Sequence, residues 1–166
     1  MKLMKIMGSV LLAGGVSIAG DVVKIERMSM ELANEIAKRT VEACRAQGYW
    51  VSAVVVDKSA NAQVIIRDTY APRFTMSIAE QKANLVIMSG LTSGSFVKNR
   101  SDIRHELNNI EGLVMMRGAV PVKSGDVIIG AVGVSGAPGG ERDEGCAKVA
   151  LKSLEERLAF AMMEDD

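Results

Sequence analysis

Histidine and cysteine are scarce in this chain, which contains one histidine, His105, and two cysteines, Cys44 and Cys146. A zinc site that needs two or three imidazoles is therefore excluded within one chain. No CxxC or CxxCH motif occurs, so neither a thioredoxin-type redox site nor the attachment of c-type haem is indicated. The two cysteines either form one disulfide or are separately buried thiols. Because the sequence gives no sign that they are neighbours, we favour two separately buried thiols.

Aromatic residues make up only 4% of the chain, and the 20 basic residues balance the 20 acidic ones. The hydrophobic core is therefore expected to be aliphatic. No basic stripe interleaved with aromatic residues is present, which argues against nucleic acid as the main partner. The length of 166 residues suffices for one domain with a sizeable core and hardly for two.

The N-terminal residues differ from the rest of the chain. Lys2 and Lys5 precede an apolar run without charge, and Ser17-Ile18-Ala19 places small residues at the two positions that a signal peptidase reads. This pattern predicts a secretory signal peptide, residues 1–19, and hence a periplasmic or secreted protein. The alternative is an ordinary buried N-terminal helix. The run is too short and glycine-rich for a stable membrane anchor, and no cysteine follows it to carry a lipid.

After the predicted signal peptide we assign a short lead, residues 20–27, and a single domain, residues 28–163. Strands joined by tight turns must be antiparallel. The order of elements therefore predicts an α+β fold, in which an antiparallel sheet is flanked by helices, including an N-terminal helix and a long C-terminal helix. The predicted helices are 30–47, 77–89 (opened by a capping box, Ser77 to Glu80), 102–108 and 141–163, with a break at 93–95, and the predicted strands are 50–56, 63–67, 113–116, 120–123 and 127–134.

A glycine-rich segment, Gly130 to Leu151, joins the last predicted strand to the last helix. It fits neither the phosphate loop GxxxxGK[ST], nor the dinucleotide fingerprint GxGxxG, nor the nucleophile elbow GxSxG. Glu141, Asp143 and Glu144 occupy the first helical turn, where their charges disfavour a bound anion. The segment is therefore either a tight structural turn or the wall of a ligand pocket that backbone approaches closely.

Several short motifs stand in a characteristic order along the chain. They are Val51 to Asp57, Arg67-Asp68-Thr69-Tyr70-Ala71-Pro72, Ile78 to Ala83, Gly118-Ala119-Val120-Pro121, and Gly130 to Gly140 followed by Asp143 and Cys146-Ala147. This set resembles the GlcG/HbpS family of small haem-binding proteins, which includes the C-terminal domain of PduO-type proteins, and is most similar to its exported branch. The resemblance covers nearly the whole chain after the predicted signal peptide.

The resemblance implies a profilin-like α+β fold, homo-oligomers from dimers to octamers, and haem or a related tetrapyrrole as ligand. It does not imply an agreed catalytic reaction. The chain departs from the family at Ala119, where a second glycine is usual, and the added methyl group changes this part of the expected pocket.

Two residues are candidates for the axial ligand of a haem iron. His105 has the suitable side chain, although its charged surroundings are also typical of an exposed surface histidine. Tyr70 lies in a loop between a predicted strand and helix, where functional residues tend to occur, and its alternative role is packing. Four methionines offer thioether ligands but are more typical of core packing: Met76, Met88, Met115 and Met116.

Three cations are candidates for binding two propionates or a small organic acid. Lys82 lies on an otherwise apolar helical face, so its ammonium must reach solvent or find an anion, and Arg67 and Arg73 flank the loop that carries Tyr70. The alternative for Lys82 is an internal pair with Asp57, Asp68 or Glu80. The glycine motifs add backbone that a flat ligand approaches, at Gly118, Pro121, Ser135 and Gly136.

These residues support three functional hypotheses. The first is an exported, non-catalytic haem- or tetrapyrrole-binding protein that serves scavenging, storage or sensing. The second is a binding protein or accessory enzyme for a small hydroxy acid or aldehyde, in which Lys82 and Arg67 hold the carboxylate. The third is a module whose groove serves only subunit assembly.

Overall fold

A computed structural model describes the protein from residue 25 to residue 160. The predicted signal peptide, residues 1–19, lies outside the described residues. No helix within residues 25–160 is long and apolar enough to cross a membrane. In chain order the elements are α1 (Met30–Arg45), β1 (Ser52–Asp57), β2 (Ala62–Arg67), α2 (Phe74–Ser89), α3 (Ser93–Asn99), a 3₁₀ turn (Ser101–Ile103), α4 (Arg104–Leu107), β3 (Ala119–Ser124), β4 (Val127–Ser135), α5 (Gly140–Lys152) and α6 (Glu155–Phe160).

The four strands form one antiparallel sheet in the order β2-β1-β4-β3. Two hairpins, β1–β2 and β3–β4, are joined side by side through β1 and β4, where Val54 stands opposite Gly133. This arrangement confirms the predicted α+β fold with an antiparallel sheet flanked by helices.

Helices cover both faces of the sheet. α1 and α5 pack on one face, and α2 crosses the other face mainly over β1 and β4. α2 lies so close to β4 that a Cβ atom on Gly133 would collide with the carbonyl oxygen of Ala79. The buried hydrophobic side chains are aliphatic or sulfur-containing, with Phe96 the one aromatic exception among the side chains described. The expected aliphatic core is thus confirmed.

α1 follows its sequence pattern closely. The Ser29 hydroxyl accepts a hydrogen bond from the Leu32 N–H (3.2 Å) and caps the helix. The buried stripe repeats every three or four residues, as helical periodicity requires, and consists of Ala33, Ile36, Ala37, Thr40, Val41 and Cys44.

The predicted capping box at Ser77 to Glu80 was wrong, because α2 begins three residues earlier, at Phe74. The Ser77 hydroxyl donates to the Phe74 carbonyl (3.0 Å), inside the first turn, and caps no N–H group. Instead, the Thr75 hydroxyl donates to the Pro72 carbonyl (2.7 Å) and closes the turn before the helix.

Three further predictions differ from the structure. Residues 93–95 open α3, because the Thr92 hydroxyl accepts from the Ser95 N–H (3.2 Å) and starts a new helix. Residues 113–116 form no strand, since Met115 is buried in a separate cluster and its N–H donates to the Asn108 side chain (2.8 Å). The predicted C-terminal helix is divided into α5 and α6, and Arg39 of α1 donates to the Ser153 carbonyl (3.3 Å) at the division.

Cys44 and Cys146 form a disulfide between α1 and α5, so the prediction of two separately buried thiols was wrong. Their Cα atoms lie 5.3 Å apart, although the two residues are 102 positions apart in the sequence. The two helices pack side by side on the same face of the sheet. This proximity is a property of the tertiary fold, and the spacing of the cysteines in the sequence does not reveal it.

Candidate functional site

A buried ion pair lies where α2 meets the end of β4. The Lys82 ammonium donates to an Asp143 carboxylate oxygen (2.8 Å) and to the Val134 carbonyl (2.9 Å). The two charged side chains are 1% and 4% exposed. Lys82 was expected either to bind an external carboxylate or to pair with Asp57, Asp68 or Glu80. Its partner is instead Asp143, on α5, and the ammonium does not face solvent.

Asp143 connects this pair to the glycine-rich segment. Its second carboxylate oxygen accepts from the Ala137 N–H (3.0 Å), one residue beyond Gly136. Burial raises the pKa of Asp143, while the Lys82 ammonium and the Ala137 N–H act in the opposite direction. The carboxylate therefore fixes the path of the chain from Ser135 to α5. An internal charge therefore holds this turn, as the alternative of a tight structural turn expects.

Gly118 makes room for the pair. A Cβ atom at this position would lie 2.7 Å from the Lys82 ammonium nitrogen and 2.8 Å from the Val134 carbonyl oxygen. The residue also has a φ of +131°, a backbone conformation that residues other than glycine rarely adopt. The glycine of the Gly118-Ala119 motif thus serves the internal packing of Lys82.

Gly118→Ala is expected to lower the free energy of unfolding by about 1–3 kcal/mol, because the new methyl group meets both a strained φ and the Lys82 ammonium. Chemical denaturation monitored by the fluorescence of Trp50 measures the change. The matched control is Gly145→Ala, at a helical position of α5 where a Cβ atom meets nothing within 4 Å. This control is expected to raise stability by up to about 1 kcal/mol, and equal losses in both variants would contradict the explanation.

Aromatic side chains are exposed near the start of α2. Tyr70 is 74% exposed, Phe74 64% and Trp50 48%. The rings of Trp50 and Tyr70 make an edge-on contact, with their centroids 5.3 Å apart, and the Arg73 guanidinium lies 4.7 Å from the centroid of the Phe74 ring. Tyr70 of the first pair and Arg73 of the second are three residues apart in the chain, and we call the four residues of the two pairs the aromatic surface. Exposed aromatic rings beside a guanidinium are suited to a flat apolar ligand that carries negative charge.

Two arginines fix the loop that carries Tyr70. The Arg67 guanidinium donates to the carbonyl of Ala71 (2.5 Å) and makes longer contacts with the carbonyls of the two residues that follow Arg67. The Arg45 side chain, at the end of α1, pairs with the buried carboxylate of Asp68 (2.9 Å). Arg67 therefore holds the loop from within, while Arg73 presents its charge beside an exposed ring.

The remaining predicted site residues lie on other elements. His105 is exposed on the four-residue helix α4, and Pro121 lies on the edge strand β3. Ser135 is buried at the end of β4, opposite Ser52, and the next residue, Gly136, packs against the Trp50 carbonyl. Of the methionines, Met115 is buried, Met76 is half-buried, and Met88 and Met116 are exposed.

Some of the predicted residues thus form two groups. Lys82 and Gly118 lie against Asp143 inside the protein, whereas Arg67, Tyr70 and Arg73 lie on or beside the exposed loop. His105, Pro121, Ser135 and Gly136 belong to neither group. Trp50 was not among the predicted site residues, although a single tryptophan at the start of an apolar strand was a usable signal. Within residues 25–160, no three His, Cys, Asp or Glu side chains are placed to hold a metal ion.

Comparisons with known proteins agree with this fold. A family model described as "Haem degrading protein HbpS-like" matches residues 28–152. A double mutant of HbpS from Streptomyces reticuli has a TM-score of 0.76 and 27% sequence identity, over 86% of this chain and 97% of that chain. Protein ORFY from Klebsiella pneumoniae has a TM-score of 0.76 and 22% identity, over 84% and 98%. A haem complex of PduOC has a TM-score of 0.65 and 18% identity, over 77% and 95%. At their lower identities, the last two similarities concern the fold alone. No curated protein matches the sequence.

Proposed function

The chain belongs to the HbpS-like family, and from this membership we propose that the protein binds haem or a related tetrapyrrole on its aromatic surface. The description of the family names haem. The observation in this chain that supports the proposal is the exposure of Trp50, Tyr70 and Phe74. These three residues are half of all the aromatic residues in a chain that has few.

The residues of the aromatic surface suit the chemistry of a tetrapyrrole. Its macrocycle is flat and apolar and packs against exposed rings, and its propionates need a cation, which Arg73 would supply. Bound haem supplies an iron that accepts an axial ligand, and a tyrosine oxygen is one of the ligands that proteins provide. Tyr70 is therefore the proposed ligand, and His105 on α4 is the alternative.

The small-acid hypothesis is less well supported. It relied on Lys82 to hold the substrate carboxylate, but the Lys82 ammonium is buried against Asp143 and the Val134 carbonyl. Arg67 is likewise engaged with carbonyl groups of its own loop. A small organic acid would have only part of the predicted set of cations to bind.

Titration of the purified protein with hemin tests the proposal. We expect a shifted Soret absorption band that saturates with an affinity in the low-micromolar range or tighter. Tyr70→Phe is expected to abolish the shift, because the variant keeps the ring and loses the oxygen that ligates iron. The matched control is Tyr49→Phe, at a half-buried tyrosine whose ring faces Arg142 (5.5 Å), and this variant is expected to behave as the wild type.

The titration distinguishes an error about haem binding from an error about the residue that ligates the iron. A response that does not saturate would overturn haem binding itself. A normal shift in Tyr70→Phe together with a lost shift in His105→Ala would keep haem binding and move the ligand to α4.

We also propose that the protein is exported and binds its ligand without turnover. Lys2, Lys5 and the small residues before Gly20 support cleavage of a signal peptide, and a disulfide is typical of oxidising compartments. The openness of the aromatic surface supports binding without catalysis, because the site would not exclude water. The description of the family names haem degradation, so loss of the Soret band after addition of a reductant in air would contradict a non-catalytic role.

A further inference from the structure

The free edge of β2 carries unpaired backbone groups. The Asp68 N–H donates to the Val51 carbonyl (3.0 Å) at the start of the β1–β2 ladder. In an antiparallel ladder hydrogen-bonded pairs alternate with pairs that are not bonded. Together with the register, this places the next bonded pairs at Ala53–Ile66 and Val55–Val64. The N–H and C=O groups of Ile65 and Arg67 therefore point away from β1, toward the outside of the sheet.

The opposite edge of the sheet, β3, is protected against further pairing. The Val134 N–H donates to the Gly118 carbonyl (2.8 Å), so the same alternation turns the backbone of Ala119 and Pro121 outward. The Ala119 N–H donates to the Ser93 hydroxyl (2.9 Å), and Pro121 has no N–H to offer. Lys123 adds a charge to the same strand. These are devices by which proteins prevent the association of sheet edges.

β2 has fewer such devices, because its pairing with β1 is irregular at Gln63, near its start, but regular from Val64 onward. Its sequence, AQVIIR, contains no proline or lysine, and its one charge lies on its last residue, Arg67. Ile65 stands opposite Val54 on the α2 face of the sheet, but α2 hardly covers β2, and Ile65 is 48% exposed. No turn, loop or side-chain hydrogen bond within residues 25–160 reaches the N–H or C=O group of Ile65, and the alternation of the ladder turns both groups away from β1. The edge at β3 is thus protected against pairing, whereas the edge at β2 is apolar and can pair with another strand.

We propose that β2 of one molecule pairs antiparallel with β2 of a second copy, about a two-fold axis that passes through Ile65. A two-fold axis presents the same surface on both molecules, and the outward groups of the two Ile65 residues would then bond to each other. This register places Ile65 opposite Ile65 and, on either side, Val64 opposite Ile66. Arg67 falls opposite the irregular position at Gln63, so no like charges face each other. An axis at Arg67 would instead oppose two guanidinium groups.

The second copy is favoured over another peptide because β2 is self-complementary in this register. Pairing would extend the four-stranded sheet into a continuous eight-stranded one across the two molecules and would cover the exposed part of Ile65. The family resemblance implies homo-oligomers in general, whereas the contrast between β2 and β3 identifies the surface. The interface requires no haem, so its test is independent of the proposed ligand.

Sedimentation velocity of the purified protein without haem tests the interface. We expect the wild type to be a dimer or a larger even-numbered assembly. In Ile65→Lys the mass is expected to fall to half or less, because two additional cations oppose each other at the axis. The matched control is Val149→Lys, on α5, at an apolar residue that is 56% exposed, and it is expected to keep the mass of the wild type. A monomeric wild type, an unchanged mass in Ile65→Lys, or equal dissociation in both variants would overturn the proposal.

A cross-linking experiment tests the register without disrupting the interface. In the proposed pairing the Cα atoms of the two Ile65 residues lie about 5.5 Å apart, within the range of a disulfide. Ile65→Cys is therefore expected to form a covalent dimer under mild oxidation. Gln63→Cys is the control, since the two copies of this residue would be more than about 13 Å apart. The native cysteines are already bonded and buried. Failure of Ile65→Cys to cross-link, or more cross-linking in Gln63→Cys, would overturn the register.

Discussion

Lys82→Met is expected to lower the free energy of unfolding by about 3–5 kcal/mol, the usual cost of removing one partner from a buried ion pair. The substitution keeps most of the volume of the side chain but leaves the Asp143 carboxylate in the interior without its counter-ion. It also removes the donor to the Val134 carbonyl. Denaturation by urea, with the slope compared between variants, measures the loss.

Two variants control for other effects of this substitution. Lys38→Met removes a lysine of α1 whose pair with Glu42 is exposed, at 4.0 Å, and is expected to leave the free energy of unfolding nearly unchanged. The double variant Lys82→Met, Asp143→Leu removes both charges and is expected to recover part of the loss, because no unpaired charge stays buried. If Lys82→Met costs no more than Lys38→Met, the pair does not stabilise the fold.

Loss of the disulfide between Cys44 and Cys146 is expected to cost about 2–5 kcal/mol. The bond closes a long loop, whose ends are 102 positions apart in the sequence, and so removes many conformations from the unfolded chain. It also joins α1 to α5 on one face of the sheet. The double variant Cys44→Ala, Cys146→Ala measures the loss by denaturation at equilibrium, relative to the oxidised wild type.

A reductant provides the internal control for this measurement. Both sulfur atoms are buried, so the wild type must be unfolded and refolded in the presence of the reductant for the bond to break. Its stability should then fall to about that of the double variant, whereas the double variant should not respond to the reductant. Equal stability of the wild type with and without reductant would show that the bond does not contribute.

Sequence patterns predicted the elements whose signals are local. The stripe of α1 has helical period and a serine cap, and β1 is a short apolar run rich in valine that turns back at Asp57. The Asp57 carboxylate accepts from the backbone N–H groups of Ser59 and Asn61 (2.8 and 2.9 Å), which fixes that turn. Such features depend on residues a few positions apart, so they can be read without knowledge of the fold.

Several of the predictions that failed depend on contacts between distant parts of the chain. The sequence placed Asp143 in the first turn of the last helix, where its charge suits the helix dipole. Its partner, Lys82, comes from another element and was not predicted. Cys44 and Cys146 showed no sign of proximity for the same reason. The predicted strand at 113–116 had suitable residues, but the burial of Met115 in a cluster with Leu85 and Phe96 took precedence over local propensity.

The strand order β2-β1-β4-β3 also has a consequence for refolding in vitro. Each hairpin closes through a short turn, but the pairing of β1 with β4 joins residues as far apart in sequence as Val54 and Gly133. Non-local pairing of this kind is slow because the chain must close a long loop first. Before β4 pairs with it, the edge of β1 opposite β2 is unpaired. Five of the six residues of β1 are apolar or small. The yield of soluble protein on refolding is therefore expected to fall as the protein concentration rises, since association at β1 competes with completion of the sheet.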